Sequence, residues 1–562
     1  MAETTATKKD SEPEANYKET VESILVAFIL AFIFRAFVVE AFVIPTGSMA
    51  PTLYGAHMRL TCPDCGYTFD VGYQSPQSAN DDDDIDMPDD LAQRPPNIRC
   101  PNCAYTFPTQ DAQGRPIGQP LRFGDRILVL KYLFLVQNPQ RWDVVVFKSP
   151  DEKHHVPEDP EYGQNYIKRL IGTPGESICI LDGDIYKGNF KASTSKDFHI
   201  ERKPKFVQDR LWRLVYNNDF IPQGPATSRP DAWHEPWQIS DGTGWSLQRN
   251  GKPSRDFNFN NANGSSTLFF NDTANRGVFP LTDWISYDQI TGTEKEQQHS
   301  TPGSDSDITR DGPSVSDLKF SCFYTRKSGD GAMRMYLTKL DHCFVAEFKP
   351  GKISLFEAKI NASSNGATGK GLDLGPLTLK ESADLPKSAG AAPLQIDFMN
   401  YDYDVILRVD GKVIFDKPYE PDVKTLWDQA ISRKPDPMAR PEIRITSERQ
   451  ACSIEHLSLW HDIYYGNFNY HVTFWASPEK LMHLNAGEYF VLGDNSLISG
   501  DARYWNQPIL LPREGLPDTQ GGRVPASFML GKAFFVYWPA GYRPPFIPKG
   551  IIPDFGEMRF IH

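Results

Sequence analysis

The stretch YIKRLIGTPGE, Tyr166 to Glu176, alternates side chains from one face to the other and then breaks at Pro174-Gly175. That is the pattern of a β-strand closed by a turn, with Tyr166, Lys168 and Leu170 sharing a face. Comparable runs lie around it: RILVLKY at 126–132, DVVVFKS at 143–149, SICILDGDIY at 177–186, EYFVLGDN at 488–495 and GKAFFVYW at 531–538. The fold class they predict is mainly β. A lysine on a face with apolar residues is drawn out of water, and desolvation disfavours the ammonium form. A neutral amine accepts a proton from a hydroxyl, so Lys168 is a candidate general base. Standing alone, the strand reads rather as an edge whose lysine reaches solvent.

Between 189 and 465 the texture changes to short alternating segments rich in Gly, Asn, Asp and Ser at their ends, among them KFSCFYTR, MRMYLTKL, KISLFEAKI and PEIRITSE. In DVILRVDGKVIFDK, Val405, Leu407 and Val409 share a face and Asp410-Gly411 turns the chain back, a strong hairpin signal. So many strands predict a β-sandwich folding around its own core. The closing phrase IEHLSLWHDIYY resembles the last strand of laminin-G/concanavalin-like jelly rolls. Such a unit reads as a domain inserted into a loop of another, which is tolerated where the loop ends lie close together.

A chain of 562 residues exceeds what one hydrophobic core organises, so several folded units are expected. The net charge of −13 and the absence of a basic cluster argue against nucleic acid as a partner. The acidic run 81–90 reads as a solvated loop. Near the N-terminus, ILVAFILAFIF (Ile24 to Phe34) continues past Arg35 into AFVVEAFVI, ending at Ile44. Together these give roughly the 20 apolar residues of a transmembrane helix, with Arg35 able to snorkel towards headgroups. No small-x-small cleavage pattern follows, which favours a retained anchor over a removed signal peptide. Lys8, Lys9 and Lys18 precede the span and place the N-terminus in the cytoplasm.

Immediately after the apolar run comes IPTGSMAPTL, Ile44 to Leu53. A serine hydroxyl is a weak nucleophile at neutral pH and needs a base beside it. Pro45 and Gly47 would hold Ser48 on a sharp turn, and Thr46 could donate its hydroxyl to a developing oxyanion together with the Ser48 N–H. A serine in such a turn is usually only a turn; its place beside an anchor gives it weight. In GDNSLISGDARYW, Gly493 to Trp505, Asp494 and Asn495 are expected to hydrogen-bond their own turn. Asp501 and Arg503 are suited to a charge-assisted pair, and Ser499 to holding the Lys168 amine towards Ser48.

Taken in order, the span, Thr46–Leu53, Gly124–Val129, Lys168–Gly175, Gly493–Arg503 and Gly531–Pro539 resemble the conserved boxes of type I signal peptidases, the Ser–Lys leader peptidases. The resemblance covers roughly 40–61, 121–188 and 466–541. It implies an antiparallel β catalytic domain with a membrane-associated face. It implies Ser48 as nucleophile, Lys168 as general base, Thr46 as oxyanion donor and Ser499 as the residue orienting the lysine, with Asp501 and Arg503 in support. No catalytic cofactor is implied. Substrates would be exported preproteins with small residues at −1 and −3 of the signal. The implied place is the bacterial inner membrane, single-pass, with the catalytic domain outside the cytoplasm. Departures from the family pattern are Thr46 for serine, Trp142 for a glycine before DVVVF, Glu176 for aspartate and Ala502 for serine.

Cys62-Pro-Asp-Cys65 and Cys100-Pro-Asn-Cys103 are each followed by a small residue and Tyr-Thr-Phe. Two such knuckles predict four thiolates on one structural zinc. Disulfides are the alternative, because the segment is expected outside the cytosol. Cys179, Cys322, Cys343 and Cys452 lack ligand spacing and read as buried thiols, with a Cys322–Cys343 bond as an option. The expected organisation is a cytoplasmic tail (1–20), a transmembrane anchor (21–44), and a catalytic domain in three parts (45–61, 104–189, 466–541). A zinc-ribbon-like insertion (62–103), a sandwich insertion (190–465) that binds glycan or protein, and a C-terminal tail (542–562) complete it. A self-cleaving Ser–Lys repressor would need a DNA-binding helix-turn-helix and no span. A surface binding protein on a degenerate peptidase scaffold would have lost Ser48, Lys168 or Ser499.

Overall fold

The computed structural model describes residues 17–73, 92–93, 98–150, 164–223, 233–274, 281–289, 313–361, 372–385, 392–432, 440–466, 473–506, 521–541 and 553–562. Residues 1–16, the acidic run 81–90 and the pair His154-His155 lie outside them.

The chain is mainly β. Its first element is a helix, Tyr17–Phe37, whose residues Val21 to Leu30 are exposed. The expected anchor at 21–44 is corrected at its C-terminal end. Val39–Val43 is a strand, paired antiparallel with Arg126–Leu130, because its backbone completes the edge of a sheet. Residues 17–20, assigned to the tail, begin the helix. Among the described residues, no helix is long and apolar enough to cross a membrane.

All but one of the runs read as strands around Lys168 join one antiparallel sheet; the exception, SICILDGDIY, forms the hairpin of a second. The order of the first is Val39–Val43, Arg126–Leu130, Met529–Trp538, Val144–Lys148, Asn165–Gly172, Glu488–Leu492 and Val524–Pro525. Arg559–Phe560 adds to the Met529–Trp538 strand, which ties the Pro-rich tail back onto the sheet. A smaller sheet holds His199–Ile200, Asp184–Asn189, Glu176–Leu181 and Met482–His483. Its central hairpin turns through Asp182 (φ 48°) and Gly183 (φ 82°), the left-handed pair of a two-residue turn.

The third sheet has 13 strands, all between Arg213 and His461. Strand pairing therefore starts this unit at Arg213 rather than at 190 and leaves His199–Ile200 with the smaller sheet. The Ile443–His461 strand is 19 residues long and pairs in turn with four others. One apolar core fills the unit, with Trp237, Phe257, Phe320, Phe398, Leu407 and Ile445 fully buried. The Asp410-Gly411 hairpin forms as read, with φ of 50° and 74°. Cys179, Cys322, Cys343 and Cys452 are free and buried. The optional Cys322–Cys343 bond is absent, because two strands separate theirs in the sheet.

Buried charge fastens this unit to the smaller sheet and the segment that follows it. Lys339 Nζ reaches Asp184 Oδ2 at 3.0 Å and Asp317 Oδ1 at 2.5 Å, and Lys203 pairs with Asp402 and with Asp462 at 2.9 Å. Burial acts to lower the Lys339 pKa, but Asp184 and Asp317 outweigh it and hold the ammonium well above its ordinary value. Such a cluster stays folded only while each carboxylate keeps a cation. Lys339→Met is therefore expected to destabilise the protein by about 3–5 kcal/mol, read as a lowered urea midpoint. A midpoint equal to wild type would show that the cluster does not hold the two units together.

Candidate active site

The lysine strand, Asn165–Gly172, lies between Val144–Lys148 and Glu488–Leu492. Lys168 is 5% exposed, and its Nζ stands 5.5 Å from the Tyr166 ring, as a shared face requires. The strand presents that Nζ at 2.6 Å from Ser48 Oγ. These two groups, 120 positions apart in the chain, are the closest meeting of a nucleophile and a base that the sequence singled out.

The opposite face of the strand explains the register. Arg169 is fully buried and binds Asp494 through two bonds of 2.7 Å, while its Nη1 donates to the Trp142 and His562 carbonyls. Asp494 also accepts the Thr52 hydroxyl at 2.6 Å, four residues beyond Ser48. Its expected role in its own turn is thus replaced by a long-range one: it joins the lysine strand to the serine segment. Asn495 keeps one bond in its own turn, its carbonyl accepting the Ser499 N–H at 3.0 Å, while its backbone N–H donates to the Ser48 carbonyl at 3.0 Å and its side-chain amide to Asp288 at 2.8 Å.

Gly493 is needed for this approach. A Cβ there would sit 2.1 Å from Ser499 Oγ and 2.5 Å from the Ser48 carbonyl oxygen. Ser499 is buried at that spot, but its hydroxyl makes no hydrogen bond among the described residues, so a bond to Lys168 is not part of this arrangement. Asp501 and Arg503 pair as read, with Nε–Oδ1 and Nη2–Oδ2 both 2.9 Å. Asp501 also accepts the Gly493 N–H, and Arg503 donates to Ser496 and the Gly466 carbonyl. Burial acts to lower the Arg503 pKa, but the Asp501 carboxylate dominates and raises it above its ordinary value. The pair braces the loop. Thr46 is exposed on the turn ahead of Ser48.

Three further residues hold the segment from below, of which His57 carried no signal in the sequence. His57 is buried, and its Nδ1 donates to the Gly55 carbonyl at 2.8 Å; burial lowers its pKa, so it stays neutral. Asp125 accepts the Tyr54 N–H and the Arg559 guanidinium. Gly124 follows from a signal that was visible, the GDR box: a Cβ there would strike the Ile44 carbonyl at 1.7 Å. The departures from pattern also find reasons. Trp142 adopts φ 74°, a left-handed conformation that glycine takes without strain. Glu176 has the length to bind both the Thr173 N–H and Arg141 at 2.6 Å.

At the knuckles, Cys62, Cys65, Cys100 and Cys103 are free and buried. Cys62–Cys103 and Cys65–Cys100 sulfurs are 3.6 Å apart, and all four lie within 4.8 Å of one another. The halves are equivalent: the Gly66 N–H binds the Cys62 carbonyl, as Ala104 binds Cys100, and both turn residues have positive φ. Four converging thiols can hold one metal ion. A second group, Asp184, Asp317 and Asp402, also has metal spacing, but the Lys339 and Lys203 ammonium groups already lie between its carboxylates.

Against known proteins, the family model described as "Signal peptidase, peptidase S26" matches residues 17–72, 105–256 and 427–538, more than half of the chain. The chain belongs to this family. It is similar to signal peptidase I of Pseudomonas aeruginosa, 38% identical over 88 residues, which cover 15% of this chain and 26% of that one. It is 24% identical over 177 residues to signal peptidase I of Rickettsia bellii, covering 31% and 42%. To probable signal peptidase I-2 of Synechocystis it is 22% identical over 182 residues, covering 32% and 50%. The chain thus spans between a quarter and a half of the length of these curated relatives. Among solved structures, the carbohydrate-binding module CBM66 of Bacillus subtilis aligns at 10% identity and a TM-score of 0.22, covering 40% of this chain and 94% of that one. Sheep galectin-11 aligns at 8% identity and a TM-score of 0.17, covering 26% and 92%. At these scores the likeness decides nothing about the insertion.

Metal analysis of the purified protein is expected to find about one ion per chain, and Cys65→Ser to lower both occupancy and Tm. A metal-free protein with wild-type stability would leave the four thiols without that role.

Proposed function

We propose that this protein is a membrane-bound serine endopeptidase that removes signal peptides from exported preproteins, with Ser48 as nucleophile and Lys168 as general base. The observation that carries the reading is the 2.6 Å approach of a buried lysine amine to the serine oxygen. In the neutral state the amine takes the Ser48 proton as Oγ attacks the carbonyl carbon before the scissile nitrogen. The tetrahedral oxyanion is met by the Ser48 N–H and the Thr46 hydroxyl. Lys168 then passes its proton to the leaving amine, and a water activated by the same lysine releases the acyl group. Ser499, buried beside the Ser48 carbonyl, takes its place in the reaction by turning its hydroxyl to the lysine. Substrates are exported preproteins with small residues at −1 and −3, a specificity proposed from the family.

The exposed apolar side chains of Val21, Ile24, Leu25, Val26, Phe28, Ile29 and Leu30 support a bilayer-embedded helix, since among the described residues nothing buries them. The catalytic units would then lie outside the cytoplasm at a bacterial inner membrane, where substrate and enzyme share a surface. Alkaline extraction of membranes should leave the protein in the pellet; release into the supernatant would refute the anchor.

Zinc is the ion proposed for the knuckles. A tetrahedral site with Zn–S of about 2.3 Å spaces its sulfurs by about 3.8 Å, close to the separations at Cys62–Cys103 and Cys65–Cys100. Its role is to hold the segment folded. The 13-stranded unit is proposed as a laminin-G/concanavalin-like jelly roll that takes a glycan or protein ligand.

With a model preprotein bearing alanine at −1 and −3, Ser48→Ala and Lys168→Ala are each expected to lose about 10²–10⁴-fold or more in kcat/KM while melting like wild type. The wild-type rate should fall on the order of tenfold per pH unit once the amine protonates, because an ammonium cannot accept the serine proton. Unchanged cleavage by either variant, or a rate that holds steady into strong acid, would refute the dyad.

A further inference from the structure

The short 3-10 turn Ser286–Gln289 belongs to the inserted unit, in the connection between its Lys252–Phe270 and Leu318–Gly329 strands. Its four consecutive residues each bind a different part of the peptidase site or its knuckles. The Ser286 hydroxyl donates to the Asp70 carbonyl at 3.1 Å, and the Arg99 N–H donates to Gln289 at 2.8 Å. The Tyr287 ring lies directly on Gly47, where a Cβ would meet its Cε1 at 2.0 Å, and its hydroxyl donates to the Ala56 carbonyl at 3.0 Å. Asp288 accepts the Asn495 amide at 2.8 Å, and the Asn495 N–H holds the Ser48 carbonyl.

We propose that Tyr287 and Asp288 of the inserted unit are positioning residues for Ser48: Tyr287 clamps the turn before the nucleophile, and Asp288 fixes the residue that holds the Ser48 carbonyl. The insertion is then also a working part of the peptidase, whatever ligand it takes. This rests on the Ser–Lys reading above and adds to it.

Three features support the assignment. Both side chains are fully enclosed, Tyr287 at 3% and Asp288 at 0% exposure, so they touch the site through packing and not through solvent. Gly47 is the residue that lets an aromatic ring reach the turn backbone, so the fit needs both partners. Burial pushes the Asp288 carboxyl up only to about 6, with the Asn495 amide acting against the rise, so it is an ionised acceptor at neutral pH. A second strut runs parallel: Arg213, in the first strand of the inserted unit, pairs with Asp283 at 3.1 Å and donates to the Asp494 carbonyl. Without these contacts the serine segment would still carry Ser48, but its turn would be held on one side only. Displacements of about 1 Å in such geometry cost rates of order 10²-fold.

The test uses the full chain, with the model preprotein bearing alanine at −1 and −3 and with Ser48→Ala in parallel. Tyr287→Ala and Asp288→Ala are expected to lower kcat about 10- to 100-fold with KM within about twofold. Tyr287→Phe keeps the ring on Gly47, and Asp288→Asn keeps an acceptor for Asn495; both should stay within about threefold of wild type. Thermal melting identifies a variant that fails to fold; if Tyr287→Ala does so, Asp288→Ala, which leaves the ring in place, decides the outcome. Wild-type kcat in both alanine variants overturns the inference while leaving the dyad intact. So does a loss that appears only in KM, or one that is equal in the conservative and alanine variants. If wild type cleaves no faster than Ser48→Ala, the proposed function itself fails, and this inference with it.

Discussion

Arg169 and Asp494 form a doubly hydrogen-bonded ion pair with neither side chain exposed. Two charges removed from water are costly, and the pair is stable only because the remaining donors and acceptors are also filled, by the Trp142 and His562 carbonyls and the Thr52 hydroxyl. That requirement fixes geometry. In a strand, neighbouring side chains point to opposite faces, so locking Arg169 on one side sets Lys168 on the other. Asp494 meanwhile holds Thr52, and with it the segment that carries Ser48. The 2.6 Å separation of amine and hydroxyl is a consequence of where this pair sits.

Around that pair, polar contacts replace what a loop site would otherwise lack. The Asp501–Arg503 pair holds the Gly493 N–H, Gly493 admits Ser499 and the Ser48 carbonyl, and Asn495 ties that carbonyl to Asp288. Each link is short and directional, so the serine turn is held through its backbone. A serine held this way keeps its hydroxyl free for the lysine amine, the condition that the proposed acyl-transfer chemistry sets.

The insertions, longer in sequence than the segments they interrupt, are built into the same frame. The Lys203–Lys339 cluster joins Asp184 of the smaller sheet to Asp317, Asp402 and Asp462 of the large one. The knuckles dock on the large unit through Asn102, which exchanges bonds with Asn217 and donates to the Phe220 carbonyl. Buried charges and side-chain-to-backbone bonds of this kind resist sliding, because every displaced group would be left unpaired away from water.

Strand after strand was legible in the sequence, because alternation has a fixed period of two and the turn residues mark its ends. The lysine face, the Asp410-Gly411 hairpin, the paired CPxC knuckles and the Asp501–Arg503 pair all follow from local spacing. The helix end was not legible: AFVVEAFVI is as apolar as a span, and only pairing with Arg126–Leu130 makes Val39–Val43 a strand. Nor was the reach of Asp494 and Asn495 beyond their own turn, or the buried turn at 286–289. The sequence by itself determined which residue types stand ready for chemistry and in which elements, since periodicity and turn propensity act over a few residues. Only the tertiary structure decided which of them meet, because Ser48 and Lys168, or Gly47 and Tyr287, are joined by buried contacts between segments more than a hundred residues apart, and no local pattern encodes such a distance.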